Sequence, residues 1–288
     1  MVKRLLNLVI SMLLAVSDWV KDRVSRLLGQ TPTSKCVVLA YHSVSTAERP
    51  KFAQQMDVLL RNAKPVPAEL AELPADGSAY AAVTFDDGFQ NIVDNALPEL
   101  QKRSIHATLF IVTESLGTNR AWEHRGGDDT RDEQVMSAEQ LSQISSELVS
   151  VGSHTMTHPF LPSIDGDHLE QELAGSRKKL KEIVKREVKS LSFPYGAFDH
   201  AIIEGCRAAG YERVFTALPL FAMSQPSEFV TGRVGAAPTD WPIEFRLKLS
   251  GAYRWLPTAY SLKRSIRGLL SPRSTKAVQI ETTQKRIA

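Results

Sequence analysis

Thr84-Phe85-Asp86-Asp87-Gly88 follows the short apolar run Tyr80-Ala81-Ala82-Val83 and precedes a helical pattern that begins near Asn91. Strand, acidic turn and helix is the order this stretch predicts. Two adjacent carboxylates at the end of a buried strand are costly, because charge taken out of water must be paired or bound to a metal. Taken alone, Asp-Asp-Gly reads as a solvated turn. A second cluster changes the balance. Ser153-His154-Thr155-Met156-Thr157-His158 also follows an apolar run, and one Asp with two His makes a three-ligand divalent site with a position left open for water. The spacing of four predicts a helical turn that puts both imidazoles on one side. Nitrogen and carboxylate ligands suit zinc, with cobalt, nickel or manganese permitted by the same ligand types.

The pattern on either side of this stretch is regular. Cys36–Ala40 reads as a buried strand ending in Tyr41-His42-Ser43, Ala107–Val112 as another, Leu148–Val151 as the strand that delivers the histidines, and Ser190–Phe193 as one running into Pro194-Tyr195-Gly196. Arg213–Ala217 and Phe229-Val230 complete the set. Helical spacing falls between them at 52–62, 91–103, 137 onward, 167–187 and 199–209. Strands alternating with helices predict a parallel sheet with helices outside, and the count suits a (β/α) barrel of about seven strands over residues 35–250. Every chemically suggestive cluster lies just after a strand, which in such folds is the active face. The polar stretch from Gly117 to Glu133 has the length of a functional loop.

The 288 residues suffice for one large α/β domain or two small ones. Cys36 and Cys206 lack metal-type spacing and imply no disulfide framework. The net charge of +3 is unevenly spread. The first 28 residues carry about +3 and the stretch from Arg246 onward about +9, so the body between them is near −9. Basic ends on an acidic body point to an anionic surface. No nucleic-acid module accompanies the charge, so no nucleic acid is expected.

Residues 1–28 begin basic and run apolar from Leu5 to Val16, too short to span a bilayer and without a small-x-small cleavage site. They predict an amphipathic helix lying on a membrane or on the domain, with a signal anchor as the alternative. Gln30–Ser34 is a linker by composition. Residues 251–288 form a basic extension in which Tyr260–Leu270 predicts a second amphipathic helix, with Lys263, Arg264 and Arg267 around an apolar face. The expectation is membrane association, at the cytoplasmic face by the positive flanks, or else a signal-anchored or exported protein.

Thr84-Phe85-Asp86-Asp87-Gly88 together with His154-Thr155-Met156-Thr157-His158 resembles the first two motifs of the polysaccharide deacetylase family, carbohydrate esterase family 4, and Phe193-Pro194-Tyr195-Gly196 resembles part of its third. The resemblance spans roughly residues 80–235. It implies a distorted (β/α) barrel and metal-dependent removal of acetyl groups from an N-acetylated oligo- or polysaccharide, in an envelope or exopolysaccharide setting. It assigns Asp86 as general base and Asp87, His154 and His158 as metal ligands. Pro194 and Tyr195 become substrate contacts, with the Tyr195 N–H holding the oxyanion. The chain departs from the pattern twice. Leu191-Ser192-Phe193 stands where an Arg is usual, and no Leu-x-His follows late in the chain. Arg233, just after a late strand, is the candidate to partner Asp86 in place of that Arg. His42, at another strand end, is a candidate for the missing acid or a substrate contact, and equally for a structural histidine. Trp241 is a candidate sugar-stacking surface or a loop-packing residue. A barrel that binds sugar without turning it over is the alternative to a hydrolase.

Overall fold

The computed structural model describes residues 2–122, 133–144 and 147–261. Its organising strand is β3 (Ala79–Phe85), buried from Tyr80 onward, as a central parallel strand covered on both faces must be. β1 (Lys35–Tyr41) pairs with its full length, from Lys35 opposite Ala79 to Tyr41 opposite Phe85. On the other edge, the two-residue β2 (Lys64–Pro65) takes Tyr80 and Ala81, while β4 (Ala107–Ile111) takes Val83 to Phe85. β5 (Val149–Ser153), β6 (Ser190–Ser192), β7 (Arg213–Phe215) and β8 (Val230–Thr231) follow in order beyond β4, and β9 (Val234–Gly235) flanks β1. All of these pairs are parallel.

The eight-strand path β8-β7-β6-β5-β4-β3-β1-β9 begins and ends on neighbouring pieces of chain. Only Gly232 and Arg233 separate β8 from β9, a span of at most about 10 Å. The two sheet edges therefore meet, and the ring is closed by two residues of backbone where an undistorted barrel would have a hydrogen-bonded ladder. This is the distorted (β/α) barrel expected from the sequence. The expected seven strands become an eight-strand path with β2 beside it. The short β2 and β9 escape a periodicity reading because two residues show no alternation.

Inside and outside follow the two-residue period. Cys36, Val38, Tyr80, Ala82, Phe110 and Phe215 form the interior cluster, whereas Val37, Leu39, Tyr41, Ala81, Val83 and Phe85 belong to the larger core beneath the helices. Both cysteines are buried and free. The strand-start end is stoppered by the segment around residues 68–70. Glu69 accepts hydrogen bonds from Thr108 and Ser190, and Arg213 donates to the carbonyls of Ala68 and Leu70. The open end is the one where the strands finish.

The covering helices are α2 (Arg49–Asn62), α3 (Leu97–Gln101), α4 (Ala138–Gln143), α5 (Gly166–Glu170), α6 (Ser176–Val184), α7 (His200–Ala208) and α8 (Pro242–Leu249). π turns at Ile92–Ala96 and Gln171–Gly175 lead into α3 and α6, so the helices expected at 91–103 and 167–187 are present with a widened turn in each. α4 opens on a capping box in which Ser137 and Gln140 bond reciprocally. The expected N-terminal helix is α1 (Val2–Leu27), seated on α8. Arg4 donates to Glu244 at 2.8 Å, Trp255 to Ser11 at 3.0 Å, and Asp18 and Asp22 pair with Arg254 and Lys35. Because Glu244 lies near the start of α8 and Lys35 starts β1, α1 descends from the open end of the barrel to the stoppered end. Most of the expected helix at Tyr260–Leu270, and the middle of the 117–133 loop, lie outside the described residues.

A methyl group at Gly232 would sit 2.7 Å from the Leu218 carbonyl oxygen and 2.8 Å from Leu220 Cβ. Gly232→Ala is therefore expected to strain the closing segment and cost about 1–3 kcal/mol, read as a lower urea midpoint at unchanged slope.

Candidate active site

Residues 80, 82 and 84 of β3 point inward, so Asp86, two residues beyond Thr84, continues into the barrel mouth. Its N–H still bonds the Tyr41 carbonyl at 2.9 Å, one rung past the β1–β3 ladder. Asp87 then turns out of the strand path with φ of 71°, a left-handed conformation that is strained for a side-chain-bearing residue. The adjacent Gly88 is required: at its own positive φ, a Cβ would meet Ile111 Cδ1 at 2.8 Å. Adjacent carboxylates are thereby sent to different partners.

Asp86 faces Arg233. Nη1 reaches Oδ1 at 2.7 Å and Nη2 reaches Oδ2 at 2.8 Å, a bidentate pair buried at the axis of the barrel. The guanidinium also donates to Thr84 Oγ1 (3.0 Å), Ser192 Oγ (2.6 Å) and the Thr216 carbonyl (3.3 Å). All five of its donors are thus engaged, and the rings of Phe110 and Phe215 lie 5.3 and 5.8 Å from it. Burial pushes the Asp86 carboxyl up in pKa, but Arg233 first and His154 second outweigh it and hold the group well below the usual carboxylate range.

Asp87, His154 and His158 converge from two loops, and all three are buried. The Nε2 atoms of both histidines lie 3.6 Å from Asp87 Oδ1. That is too long for a hydrogen bond. It is close to the roughly 3.4 Å that separates two ligand atoms on a tetrahedral ion with bonds of about 2.0–2.1 Å. Asp87 Oδ1 has no hydrogen-bond partner although it is buried. His154 Nδ1 lies 2.8 Å from the Ser192 carbonyl, which can only accept, so the proton sits on Nδ1 and Nε2 offers a lone pair toward Asp87. Burial lowers His154 to about 4, and it lowers His158 further, with His154 adding to the effect. Both rings are neutral at neutral pH, as metal ligands must be. Burial, then the neighbouring Asp86, pushes the Asp87 carboxyl up. An orphaned carboxylate oxygen and two neutral imidazoles facing it fit a divalent cation.

The histidine loop is not the helical turn that a spacing of four suggests. Thr155 and His158 both have positive φ, at 68° and 60°. Polar side chains hold this shape in place of helical hydrogen bonds. Ser153 Oγ accepts from Thr155 N–H, Thr155 Oγ1 accepts from His158 N–H, and the Glu172 carboxylate accepts from the N–H groups of Met156 and Thr157. Tyr195, with φ of 59° inside a short 3-10 turn, sets its ring edge-on to His158 at 4.6 Å. Pro194 is buried beside it. His42 is exposed at the end of β1, near enough to act electrostatically on Asp86, His154 and His158. Trp241 precedes α8, with the Arg4 guanidinium 4.2 Å over its ring.

Two participants went unread in the sequence. Ser192 joins the two halves of the site, its carbonyl holding His154 and its hydroxyl contacting Asp86 and Arg233. Its position at the end of a strand was the available signal. Trp122 stacks on His158 at 4.9 Å and on Phe89 at 6.4 Å, and nothing in its polar surroundings marks it for that contact.

Two outcomes follow. Calorimetric titration with zinc should give one ion per chain, and Asp87→Ala should weaken it by more than the roughly 10–100-fold typical of outer-shell changes. Arg233→Met should destabilise the fold by about 3–5 kcal/mol, because it strands the Asp86 charge; restoration of the wild-type urea midpoint by adding Asp86→Leu would identify the stranded charge as the cause.

Residues 75–214 match the profile of the polysaccharide deacetylase family. The Bacillus subtilis protein YxkH is 22% identical over 229 residues, covering 76% of this chain and 77% of YxkH. Among solved structures, IcaB from Ammonifex degensii is 25% identical with a TM-score of 0.62 over 76% of this chain and 98% of its own. A polysaccharide deacetylase from Bacillus cereus is 24% identical with a TM-score of 0.60, over 75% of this chain and 69% of its own. The matched segment includes the strand-end clusters that carry Asp86, Asp87, His154, His158 and Tyr195, and over it the chain is similar to the polysaccharide deacetylase family.

Proposed function

We propose that this protein is a deacetylase, a metal-dependent hydrolase that removes N-acetyl groups from an N-acetylated sugar polymer. The observation that carries the reading is the pairing at one barrel mouth of a charged, oriented carboxylate (Asp86) with a three-ligand cluster (Asp87, His154, His158). A divalent ion held by that cluster, zinc by ligand type, would polarise the acetyl carbonyl and acidify a water. Asp86 accepts the proton of the attacking water. Arg233 keeps Asp86 ionised and fixes the plane of its carboxylate, so that a lone pair is presented at a constant angle. The Tyr195 N–H donates to the carbonyl oxygen as negative charge builds there. The carbon–nitrogen bond then breaks, and the nitrogen takes a proton from His42, leaving acetate and a free amine. His42 is the candidate acid because it follows the end of β1 at the open end of the barrel, near enough to act electrostatically on Asp86, His154 and His158. Pro194 and Tyr195 frame the acyl group. Trp241, with one ring face under Arg4, offers at most its other face to a sugar.

The deciding experiment is acetate release from N-acetylglucosamine oligomers by protein stripped of metal and refilled with zinc or cobalt. Metal-restored release is expected, with Asp86→Asn lowering it about 10²–10⁴-fold at unchanged metal affinity. Full activity in Asp86→Asn would remove the base assignment. Stoichiometric metal binding with sugar binding and no release would favour a silent sugar-binding barrel. His42→Ala should slow release of an amine far more than release of a good leaving group from an aryl acetate, and equal losses on both would assign His42 to binding.

A further inference from the structure

α1 turns little of its apolar surface to the protein. Leu8 and Ala15 reach the core, beside a polar stripe that faces the protein. Arg4, Ser11, Asp18 and Asp22 bond Glu244, Trp255, Arg254 and Lys35. Its apolar stripe faces outward: Val2, Leu6, Val9, Leu13, Val16, Val20, Val24 and Leu27 recur at intervals of three or four, and each is exposed, Leu13 by 67%. Trp19 extends the stripe, also 67% exposed. A helix of 26 residues is about 39 Å long, and a continuous apolar strip of that length marks an interaction surface.

Charge identifies the occupant. Both acidic residues of the helix are turned inward and paired, whereas Lys3, Lys21 and Arg23 are exposed along the flanks of the outward stripe. The partner must therefore be apolar in depth and anionic at its rim. Tyr260 lies beside this surface, with Lys3 5.7 Å over its ring. No helix among the described residues is long and apolar enough to cross a membrane. We infer that α1 is an in-plane anchor whose outward stripe enters the surface of an anionic phospholipid bilayer, with its lysines and arginines at the headgroups. The inference is independent of the chemistry in the barrel.

Vesicle flotation of the full-length chain tests it, using phosphatidylcholine vesicles with and without phosphatidylglycerol. The protein is expected to float with the anionic vesicles, to bind the neutral ones far less, and to lose binding as salt rises. The double variant Leu13→Glu, Val16→Glu should bind at least about tenfold more weakly, with circular dichroism and urea midpoint unchanged because both side chains are exposed. Lys21→Ala should cost about fivefold. The inference is overturned if the wild type stays with the soluble fraction, or if the double variant floats as the wild type does. It is overturned equally if the wild type is a vesicle-free dimer that the double variant makes monomeric, since the stripe would then be closed by a second copy.

Discussion

The Asp86–Arg233 pair is the constraint around which the barrel interior is arranged. Removing a carboxylate and a guanidinium from water costs several kcal/mol for each ion, and attraction alone does not repay it unless the remaining donors and acceptors are also met. The interior meets them with Thr84, Ser192 and the Thr216 carbonyl. This explains why small hydroxyl residues, Thr84 and Ser192, stand beside the pair between the rings of Phe110 and Phe215. Ser192 then links the pair to the histidines, because the carbonyl of the same residue fixes the tautomer of His154. A change at the ion pair is felt at the ligand cluster through one peptide unit.

The parts of the fold that were legible in the sequence are those with a period. β1, β3 and β4 announce themselves as apolar runs, and parity along β3 alone is enough to send Asp86 inward. The Asp-Asp-Gly turn and the two histidines were legible as a site because each cluster follows a strand. The parts that were not legible lack a period or depend on distant chain. Two-residue strands such as β9 have no alternation to detect. The histidine loop has helical spacing but takes a left-handed path, because Ser153, Thr155 and Glu172 bond its N–H groups locally. Arg233 could be proposed from its place after a strand, yet its bidentate contact depends on a ring closure that no local pattern encodes.

Amphipathicity shows the same limit from another side. The apolar stripe of α1 is plain in the sequence, but a stripe does not say what covers it. The paired acids Asp18 and Asp22 decide which side meets the protein, and that decision is made by Arg254 and Lys35, residues of other elements. Helices read as core-facing from periodicity alone need such a check against the charges on their polar side.

The two-residue seam between β8 and β9 has a consequence for how the protein fails. Arg233 is at once the link across the gap and the counter-ion of Asp86, so an excursion that parts the two edges also withdraws the guanidinium. The abandoned carboxylate, still walled by apolar rings, would then take up a proton. Under the base role proposed for Asp86, closure of the ring and readiness of the base would be one equilibrium rather than two, and mild denaturant would silence the population before it unravels.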